Sequence, residues 1–393
     1  MSAAKVLSIA APACLKLPLD LPRKLLMGPG PSNAPPRILQ AASQQMLGHL
    51  HPEFTRLMDE VKLGIQYAFQ TRNRVTFAVS ATGHGAMEAA AVNLTEPGDT
   101  ALVLTNGIWG DRFADMVRRH GGNAKQVYKP AGQAFSSSEV EQSVKSVKPK
   151  IVFVAQGESS TGTLQPLENL GQVCHKYGSL FVVDSVASMG GVPLHMDQWE
   201  IDVLYTGSQK VLSAPPGASP MSFSERAWEK VTGRKTPIQS FYFDATWLAN
   251  YWGCDNEARK YHHTGPLTNV YTLREGLALL AAETLESTWQ RHRNCANILH
   301  KGLKEIGLEL LVQDPELRLP TVNAIVVPEG VDWKKVSDYA MNQYKVEISG
   351  GLGPTAGKVW RVGLLGYNAT QENVLLVLKA LKEGIEKTQS AKL

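Results

Sequence analysis

Residues 180–210 of the chain read LFVVDSVASMGGVPLHMDQWEIDVLYTGSQK. The apolar run Leu180–Val183 ends at Asp184, and a second run, Val203–Thr206, is closely followed by Lys210. Both runs are short, apolar and bounded by turn-forming residues, which is the pattern of buried β-strands. The stretch therefore predicts two strands that carry a carboxylate and an amine at their carboxyl ends.

The same pattern continues towards the N-terminus. Further buried strands are predicted at Val75–Val79, Ala101–Thr105 and Ile151–Ala155. Stretches with helical periodicity lie between the strands, at His84–Asn93, Asp111–His120, Ser138–Ser146 and Leu167–Lys176. Strands that alternate with helices favour an α/β fold with a mainly parallel sheet covered on both faces. Such a sheet binds its ligands at the carboxyl ends of its strands.

The C-terminal part of the chain follows a different pattern. A long helical region is predicted from Leu273 to Leu308, with a break near Trp289–Cys295. Beyond it, strands and helices are predicted at Val322–Val327, Trp333–Tyr344, Val359–Leu364 and Gln371–Lys387. This mixture is typical of a smaller α+β domain. We therefore expect an N-terminal extended arm at residues 1–24, a large cofactor-binding domain at 25–282 and a small C-terminal domain at 283–393.

Composition excludes several classes of protein. The chain has 393 residues, of which 43% are hydrophobic and 19% charged, a balance that allows a large core. The net charge of +4, from 40 basic and 36 acidic residues, is too weak to favour nucleic acid as a partner. The four cysteines form no CxxC pair and the paired histidines lack ligand spacing, so we expect neither disulfides nor a metal. No apolar run approaches the roughly 18 residues of a membrane span.

Both ends of the chain carry weak targeting patterns. The apolar run Val6–Leu15 faintly resembles part of a signal peptide, but Pro12 interrupts it, and an extended surface arm is predicted instead. The last three residues, Ala391-Lys392-Leu393, nearly match the Ser-Lys-Leu peroxisomal address. We therefore expect a peroxisomal location with an import receptor as partner, and the cytoplasm is the alternative.

The segment Ser80–Gly85 lies between the predicted strand Val75–Val79 and a helix. Glycine and threonine at a helix start present free backbone N–H groups, and the helix dipole adds partial positive charge. Both features favour an anion such as phosphate. A tight turn with a threonine cap also explains these residues, so the segment alone leaves both interpretations open.

Three side chains at the predicted strand ends suit a flat ligand. A buried carboxylate such as Asp184 is costly without a cationic partner, and a protonated ring nitrogen would be one. Lys210, desolvated behind glycine and serine, would have a lowered pKa and attack carbonyls. Trp109, after Ala101–Thr105, could stack on a ring. Each residue also has a simpler explanation: Asp184 could cap a turn, Lys210 could be a surface charge, and Trp109 could be a core aromatic.

Together these features resemble the class V, fold-type I aminotransferases, which use pyridoxal 5′-phosphate. The similarity runs from about Leu25 to Glu386. Its most specific segments are Met27–Asn33, Gly157–Gly162, Val183–Ser188, Gly207–Lys210 and Gly350–Pro354. The resemblance implies a large domain with a mainly parallel seven-stranded sheet, and a smaller α+β C-terminal domain.

The resemblance also implies a role for each matching residue. Lys210 would be the Schiff-base lysine, Asp184 would face the pyridinium nitrogen, and Trp109 would stack on the cofactor ring. Val186 would pack against the ring, and Ser159 would lie near its phenolic oxygen. Phosphate contacts would come from Thr82, Gly83, His84 and Gln209, and, from the neighbouring subunit of a homodimer, Tyr261 and Thr264.

Substrate-binding residues follow from the same resemblance. Arg361 resembles the arginine that binds the substrate carboxylate, a task suited to a bidentate guanidinium. The loop Gly28–Asn33, which includes Gly30, would close over the substrate beside Ser159. The implied reaction moves the amino group of L-alanine or L-serine to glyoxylate, giving pyruvate and glycine. The entry segment Gly48–Glu53 leaves one alternative within the family, a 3-hydroxykynurenine transaminase that gives xanthurenic acid.

Three other functions fit parts of the pattern. A cysteine desulfurase-like reaction on the same fold needs a nucleophilic cysteine on a late loop, and no cysteine follows Cys295. The segment Gly351–Ala356 fits the GxGxxA pattern of nicotinamide-binding proteins, but a strand-like run rather than a helix follows it. A cofactor-binding protein without turnover would not need both Lys210 and Arg361.

Overall fold

The computed structural model describes residue 9 and residues 11–390 of the chain. Two large hydrophobic cores occur in this part. One is built by residues between Phe54 and Leu285, and the other by residues between Cys295 and Leu381 together with Met27. The change from one core to the other lies near the boundary expected at residues 282 and 283, although the domain limits themselves stay a prediction.

The helices of the described residues are α1 (Pro36–Ala42), α2 (Pro52–Phe69), α3 (Gly83–Leu94), α4 (Ile108–Arg119), α5 (Ser137–Val147), α6 (Leu170–Lys176), α7 (Glu225–Thr232), α8 (Ala245–Tyr251), α9 (Leu267–Glu283), α10 (Leu285–Glu305), α11 (Trp333–Tyr344) and α12 (Gln371–Ser390). The strands are β1 (Leu25–Leu26), β2 (Val75–Val79), β3 (Thr100–Thr105), β4 (Asn123–Tyr128), β5 (Ile151–Ala155), β6 (Gly157–Glu158), β7 (Thr163–Leu164), β8 (Leu180–Asp184), β9 (Val203–Tyr205), β10 (Ser219–Phe223), β11 (Val322–Val326), β12 (Val346–Glu347), β13 (Ser349–Gly350) and β14 (Val359–Gly363).

The central sheet has seven strands in the order β2-β10-β9-β8-β5-β3-β4. Strand β10 runs antiparallel to both of its neighbours, and the other pairs are parallel. The expected mainly parallel, seven-stranded sheet is therefore confirmed. All residues of β2, β5, β8, β9 and β10 are buried, which explains why most of these strands appear in the sequence as uninterrupted apolar runs.

Two strands of this sheet were not found by the sequence pattern. Strand β4 is an edge strand whose residues are half-buried or exposed, so its sequence NAKQVY lacks a continuous apolar run. Strand β10 has the sequence SPMSF, in which serine and proline hide the strand signal. Both segments have residues with a weak preference for the strand conformation, and pairing with the neighbouring strands makes them strands nevertheless.

The smaller α+β part contains the antiparallel sheet β11-β14-β13, with helices α10, α11 and α12 packed together beside it. Strand β1 pairs in parallel with β12, with Leu25 opposite Val346. This pairing brings the start of the predicted large domain against the small domain. The loop that follows β1 consequently lies between the two cores, close to the end of β14 through the hydrogen bond from the Gly363 N–H to the Met27 carbonyl.

The predicted break in the long helical region is misplaced. Helix α10 runs without interruption through Trp289–Cys295, and the break lies at Thr284, between α9 and α10. Thr284 has a φ of +72°, and its side chain caps α10 by accepting a hydrogen bond from the Ser287 N–H. The cap residue, rather than a change in hydrophobic period, marks where one helix ends and the next begins.

The N-terminal arm lies partly outside the described residues. Within the described residues, positions 11–24 are exposed, and Ala13–Lys16 form a single 3-10 turn rather than a fully extended chain. The tripeptide Ala391-Lys392-Leu393 lies outside the described residues. Across the part of the chain that is described, no helix is long and apolar enough to cross a bilayer, and no cluster of side chains could hold a metal ion.

Candidate active site

A cavity of about 160 Å³ lies at the carboxyl edge of the central sheet. Loops that follow several parallel strands supply its walls. The predicted residues that line it are Gly83, His84, Trp109, Ser159, Asp184, Val186, Gln209 and Lys210. The remaining lining residues, Met87, Gly157 and Ala187, were not predicted. The parallel sheet thus gathers at one place residues that are up to 127 positions apart, from Gly83 to Lys210, in the chain.

Asp184, the last residue of β8, is the buried anion of this cavity and is only 4% exposed. Its carboxylate accepts hydrogen bonds from the Val186 N–H at 2.8 Å and the Tyr205 hydroxyl at 2.9 Å. Burial raises the pKa of Asp184 to about 6, although these hydrogen bonds and the charge of Lys210 act in the opposite direction. A cationic ligand group beside the carboxylate would relieve this cost.

Lys210 provides the amine of the cavity. Burial, followed by the charge of Arg361, lowers the pKa of Lys210 to about 8, while Asp184 and Glu347 act to raise it. Its Nζ donates a hydrogen bond to the Pro29 carbonyl. A side chain at Gly30, where φ is +112°, would collide with this amine. The predicted substrate loop therefore already contacts the lysine.

The N-terminus of α3 has the features expected of an anion site. Thr82 is its N-cap residue, but the threonine side chain makes no capping hydrogen bond. A Cβ at Gly83 would approach Val186 Cγ2 to 3.0 Å, so the glycine lets the helix start close to the cavity. Among the described residues, the buried Oε1 of Gln209 has no hydrogen-bond partner. A phosphate-bearing ligand would use the free N–H groups of this helix end, whereas Gln209 Oε1 is an acceptor and requires a donor.

Trp109 lies in the first turn of α4, and its indole forms part of the cavity wall. The indole Nε1 donates a hydrogen bond to Ser159 Oγ at 2.9 Å. The ring of His84 meets the indole edge-on, with 5.3 Å between ring centroids and 71° between planes. Burial, followed by the charges of Arg112 and Lys210, lowers the pKa of His84. A neutral imidazole is favoured there, since two cations are near.

Arg361 reaches the site from β14 in the small domain, and it is only 8% exposed. Its Nε donates to the Gly350 carbonyl at 2.8 Å, and its Nη1 donates to the Ser159 carbonyl at 3.2 Å. These bonds use two of the five guanidinium N–H donors and fix the plane of the group. The remaining donors suit the carboxylate of a small substrate.

Five predicted residues do not line the cavity. Gly30, Thr82 and Arg361 lie beside residues that do line it, whereas Tyr261 and Thr264 lie at the surface. Tyr261 is 55% exposed, and its hydroxyl lies 3.4 Å from Thr264 Oγ1, which is also on the surface. Neither residue is among the described residues that line the cavity. This arrangement agrees with a contribution to another subunit, which stays a prediction, as do the individual roles of all the site residues.

Two functional neighbours were not singled out from the sequence. Tyr205 is fully buried, and parallel register pairs it with Asp184, so its hydroxyl reaches the carboxylate. Glu158 is 1% exposed and accepts a hydrogen bond from the Trp109 N–H in the first turn of α4. Glu158 stands inside the segment Gly157–Gly162, and Tyr205 stands inside the predicted strand Val203–Thr206, where a polar group among apolar residues was the signal. Their partners are set by strand order, which the sequence pattern did not provide.

Comparison with known proteins identifies the family. The model of the class V aminotransferases matches residues 25–377. The chain belongs to this family. Class V aminotransferases share the fold-type I architecture predicted from the sequence, and the seven-stranded sheet with its smaller partner domain agrees with it. The segment Gly351–Ala356 is followed by strand β14 rather than by a helix, as expected for a family that does not bind nicotinamide there.

Individual relatives resemble this class V aminotransferase over nearly its full length. The alanine–glyoxylate aminotransferase of Callithrix jacchus is 52% identical over 387 residues, which covers 98% of this chain and 94% of that protein. The protein of the same name from Drosophila melanogaster is 50% identical over 384 residues, or 98% of each chain. The crystal structure of alanine–glyoxylate aminotransferase from Nostoc sp. has a TM-score of 0.92 at 44% identity, covering 96% and 100% of the two chains.

Proposed function

We propose that this class V aminotransferase moves the amino group of L-alanine, or of L-serine, to glyoxylate, using pyridoxal 5′-phosphate. The observation that carries the proposal is the meeting of the Lys210 amine and the Asp184 carboxylate in one cavity of about 160 Å³. Relatives at about 50% identity bear the name alanine–glyoxylate aminotransferase, which supports glyoxylate as the amino acceptor.

The residues present fit the cofactor. The cofactor phosphate would bind at the start of α3, with Thr82, Gly83, His84 and Gln209, where the helix end lacks a side-chain cap. The ring nitrogen would face Asp184, the buried carboxylate that needs a cation. Trp109 and Val186 would pack against the ring, Ser159 would lie near its phenolic oxygen, and Lys210 would hold the aldehyde carbon.

Each residue has a chemical task that follows from its surroundings. When bound, the cofactor supplies an electron sink for the α-carbon of the substrate. Asp184 keeps a positive charge favourable at the ring nitrogen. Lys210 Nζ, whose pKa is lowered to about 8 chiefly by burial, can accept the proton of the substrate α-carbon and release it again. Arg361 would bind the substrate carboxylate, and Gly30 with Ser159 would exclude water around it.

The relatives' names pair alanine as the amino donor with glyoxylate as the amino acceptor, and they give no support to 3-hydroxykynurenine as the donor.

A panel of half-reactions tests the proposal. L-Alanine is expected to bleach the visible absorption of the cofactor-loaded protein, with release of pyruvate, and glyoxylate is expected to restore it, with release of glycine. L-Serine should act in the same direction as L-alanine, and 3-hydroxykynurenine should be much slower. Rapid bleaching by 3-hydroxykynurenine without bleaching by L-alanine would favour the kynurenine activity instead.

The reactivity of Lys210 predicts a pH dependence. Only the neutral amine attacks a carbonyl, so uptake of pyridoxal 5′-phosphate by the cofactor-free protein should speed up as pH rises and level off above a midpoint of about 8. Stopped-flow absorption at a series of pH values measures the midpoint. In the Arg361→Gln variant the midpoint should move to higher pH, because the positive charge of Arg361 helps to lower the pKa of Lys210. A midpoint near 10.5 in the wild type would contradict burial of the amine.

We also propose that the protein acts as a homodimer, with Tyr261 and Thr264 contributing to the phosphate site of the partner subunit. The proposal is supported by the surface position of both residues and by the exposed apolar side chains of Leu39, Met46 and Leu63, which a second copy would cover. Light scattering should give twice the 42.8 kDa of one chain, and a monomer at micromolar concentration would exclude the dimer.

A peroxisomal location is a further proposal, with the cytoplasm as its alternative. It rests on the similarity of Ala391-Lys392-Leu393 to the Ser-Lys-Leu peroxisomal address. A fluorescent protein fused to the N-terminus should co-localise with peroxisomes, and deletion of the three residues should abolish this. Cytoplasmic fluorescence from the full-length fusion would overturn the proposal.

A further inference from the structure

Helix α4 begins without a cap of its own. Its N-cap residue is Gly107, which has no side chain to accept the free N–H groups of the first turn. The carboxylate of Glu158, from strand β6, takes this place, because its Oε2 accepts a hydrogen bond from the Trp109 N–H at 3.1 Å. The cap of α4 is therefore supplied from a segment 49 residues further along the chain.

The other carboxylate oxygen ties the same helix to the turn after β6. Glu158 Oε1 accepts hydrogen bonds from the Ser160 N–H at 2.9 Å and the Ser160 hydroxyl at 2.6 Å. Ser160 Oγ in turn accepts from the Ile108 N–H at 3.2 Å. Any side chain at Gly107 would overlap the Glu158 carboxyl, so the glycine makes room for this acceptor.

The hydrogen bonds of the Glu158 carboxyl form part of a network that includes the Trp109 indole in the cavity wall. The Trp109 backbone binds Glu158, while the Trp109 indole donates to Ser159 Oγ, in the residue that follows Glu158. The same short turn accepts from the small domain: the Ser159 carbonyl from Arg361 Nη1, and the Ser160 carbonyl from Thr355 Oγ1 at 2.7 Å. The stacking ring and the substrate arginine are therefore both fixed through one turn.

We propose that Glu158 is a positioning residue that sets the Trp109 indole in the cofactor cavity by capping helix α4 from strand β6. The proposal rests on the proposed function, since it assumes that the indole meets a bound ring. Glu158 does not line the cavity, so it acts through Trp109 and Ser159 rather than on the substrate.

The position of the acceptor oxygens, more than their charge, is what the geometry requires. Glu158 is 1% exposed, and burial raises its pKa to about 7, with the hydrogen bonds from Ser160 and Trp109 opposing the rise. Both charge states are therefore populated near neutral pH, and both keep an oxygen directed at the Trp109 N–H. Glutamine keeps one acceptor oxygen for the Trp109 N–H without the charge, although its NH2 group cannot accept from the Ser160 N–H. Aspartate retains the charge but is one methylene too short.

A double-mutant cycle measures whether Glu158 acts through Trp109. The variants are Glu158→Ala, Trp109→Ala and the double variant, and the quantity is the dissociation constant of pyridoxal 5′-phosphate. We expect about a tenfold weakening in each single variant, and a double variant no weaker than Trp109→Ala alone, because contacting residues in one network are not additive. Multiplication of the two effects would overturn the proposal.

Conservative variants provide the second arm and remain informative if Glu158→Ala does not fold. Glu158→Gln should lower the melting temperature of the cofactor-free protein, because the Ser160 N–H loses its acceptor, yet bind the cofactor within about threefold of the wild type. Glu158→Asp should bind the cofactor about as weakly as the alanine variant. The exposed Glu168→Gln is the matched control and should be unchanged. Melting of each cofactor-free variant separates a loss of positioning from a loss of folding.

The outcomes separate the two proposals. If the wild type does not bind pyridoxal 5′-phosphate, the proposed function itself fails. If the wild type binds the cofactor, and Glu158→Asp binds it as tightly as the wild type while Glu158→Gln binds it as weakly as Glu158→Ala, the charge of Glu158 matters rather than its position. That result overturns the positioning role only. A Glu158→Gln variant that matches the wild type in cofactor binding, combined with a non-additive cycle, supports the role.

Discussion

Replacement of Lys210 by alanine is expected to lower kcat/KM for L-alanine and glyoxylate by at least about 10³-fold, because one side chain supplies both the attacking amine and the proton carrier. The cavity that contains Asp184 and Trp109 stays intact, so the variant should still bind the cofactor non-covalently. The measurement is steady-state pyruvate formation together with the visible spectrum of the loaded variant.

An exposed lysine serves as the control for this variant. Lys335 lies on the solvent side of α11, and Lys335→Ala should keep the wild-type rate. Methylamine added to the Lys210→Ala protein should restore part of the activity, since it offers an amine to the space left by the side chain. Normal turnover by the Lys210→Ala variant would show that another group moves the proton, and the assignment of Lys210 would be wrong.

Replacement of Asp184 by asparagine is expected to have two opposite effects. Activity should fall by about 10³-fold, because an amide cannot keep a positive charge favourable at a ring nitrogen. The cofactor-free protein should become more stable above pH 7, because the buried carboxylate then no longer has to ionise. A site residue that stabilises catalysis at a cost in folding energy is a common arrangement in enzymes.

The direction of the stability change follows from the pKa of Asp184, which burial raises from 3.8 to about 6. A carboxyl that binds its proton more tightly when folded destabilises the native state once it is ionised. The cost is fully present above the folded pKa of about 6 and disappears as the pH falls towards 3.8. At about 1.4 kcal/mol per pKa unit, the expected gain for Asp184→Asn is at most about 3 kcal/mol.

Urea unfolding of the cofactor-free proteins at pH 8 and pH 4.5 measures this free energy. The gain of Asp184→Asn over the wild type should be large at pH 8 and small at pH 4.5. Asp338→Asn is the control, because Asp338 is 57% exposed and its ion pair with Lys334 contributes little. A loss of stability at pH 8 would mean that attraction between Asp184 and Lys210 exceeds the cost of burial.

The local sequence predicted only in part which residues meet in the cavity. The apolar runs of β8 and β9 are visible because strands buried on both faces need continuous apolar side chains. Asp184, which ends β8, and Lys210, which follows five residues after the end of β9, were then placed together by the rule that parallel strands share a carboxyl edge. The edge strand β4 and the serine-rich β10 escaped the same rule because their side chains are polar.

The sequence by itself determined that a mainly parallel sheet exists and that an amine, a carboxylate and a helix N-terminus meet at its edge, because burial and periodicity are local properties of the chain. Only the tertiary structure decided which remote groups touch them. The cap from Glu158 on α4, the bond from Tyr205 to Asp184 and the approach of Arg361 to Ser159 join segments separated by 21 to 202 residues. Such contacts depend on strand order, register and the docking of two domains, which no local pattern contains.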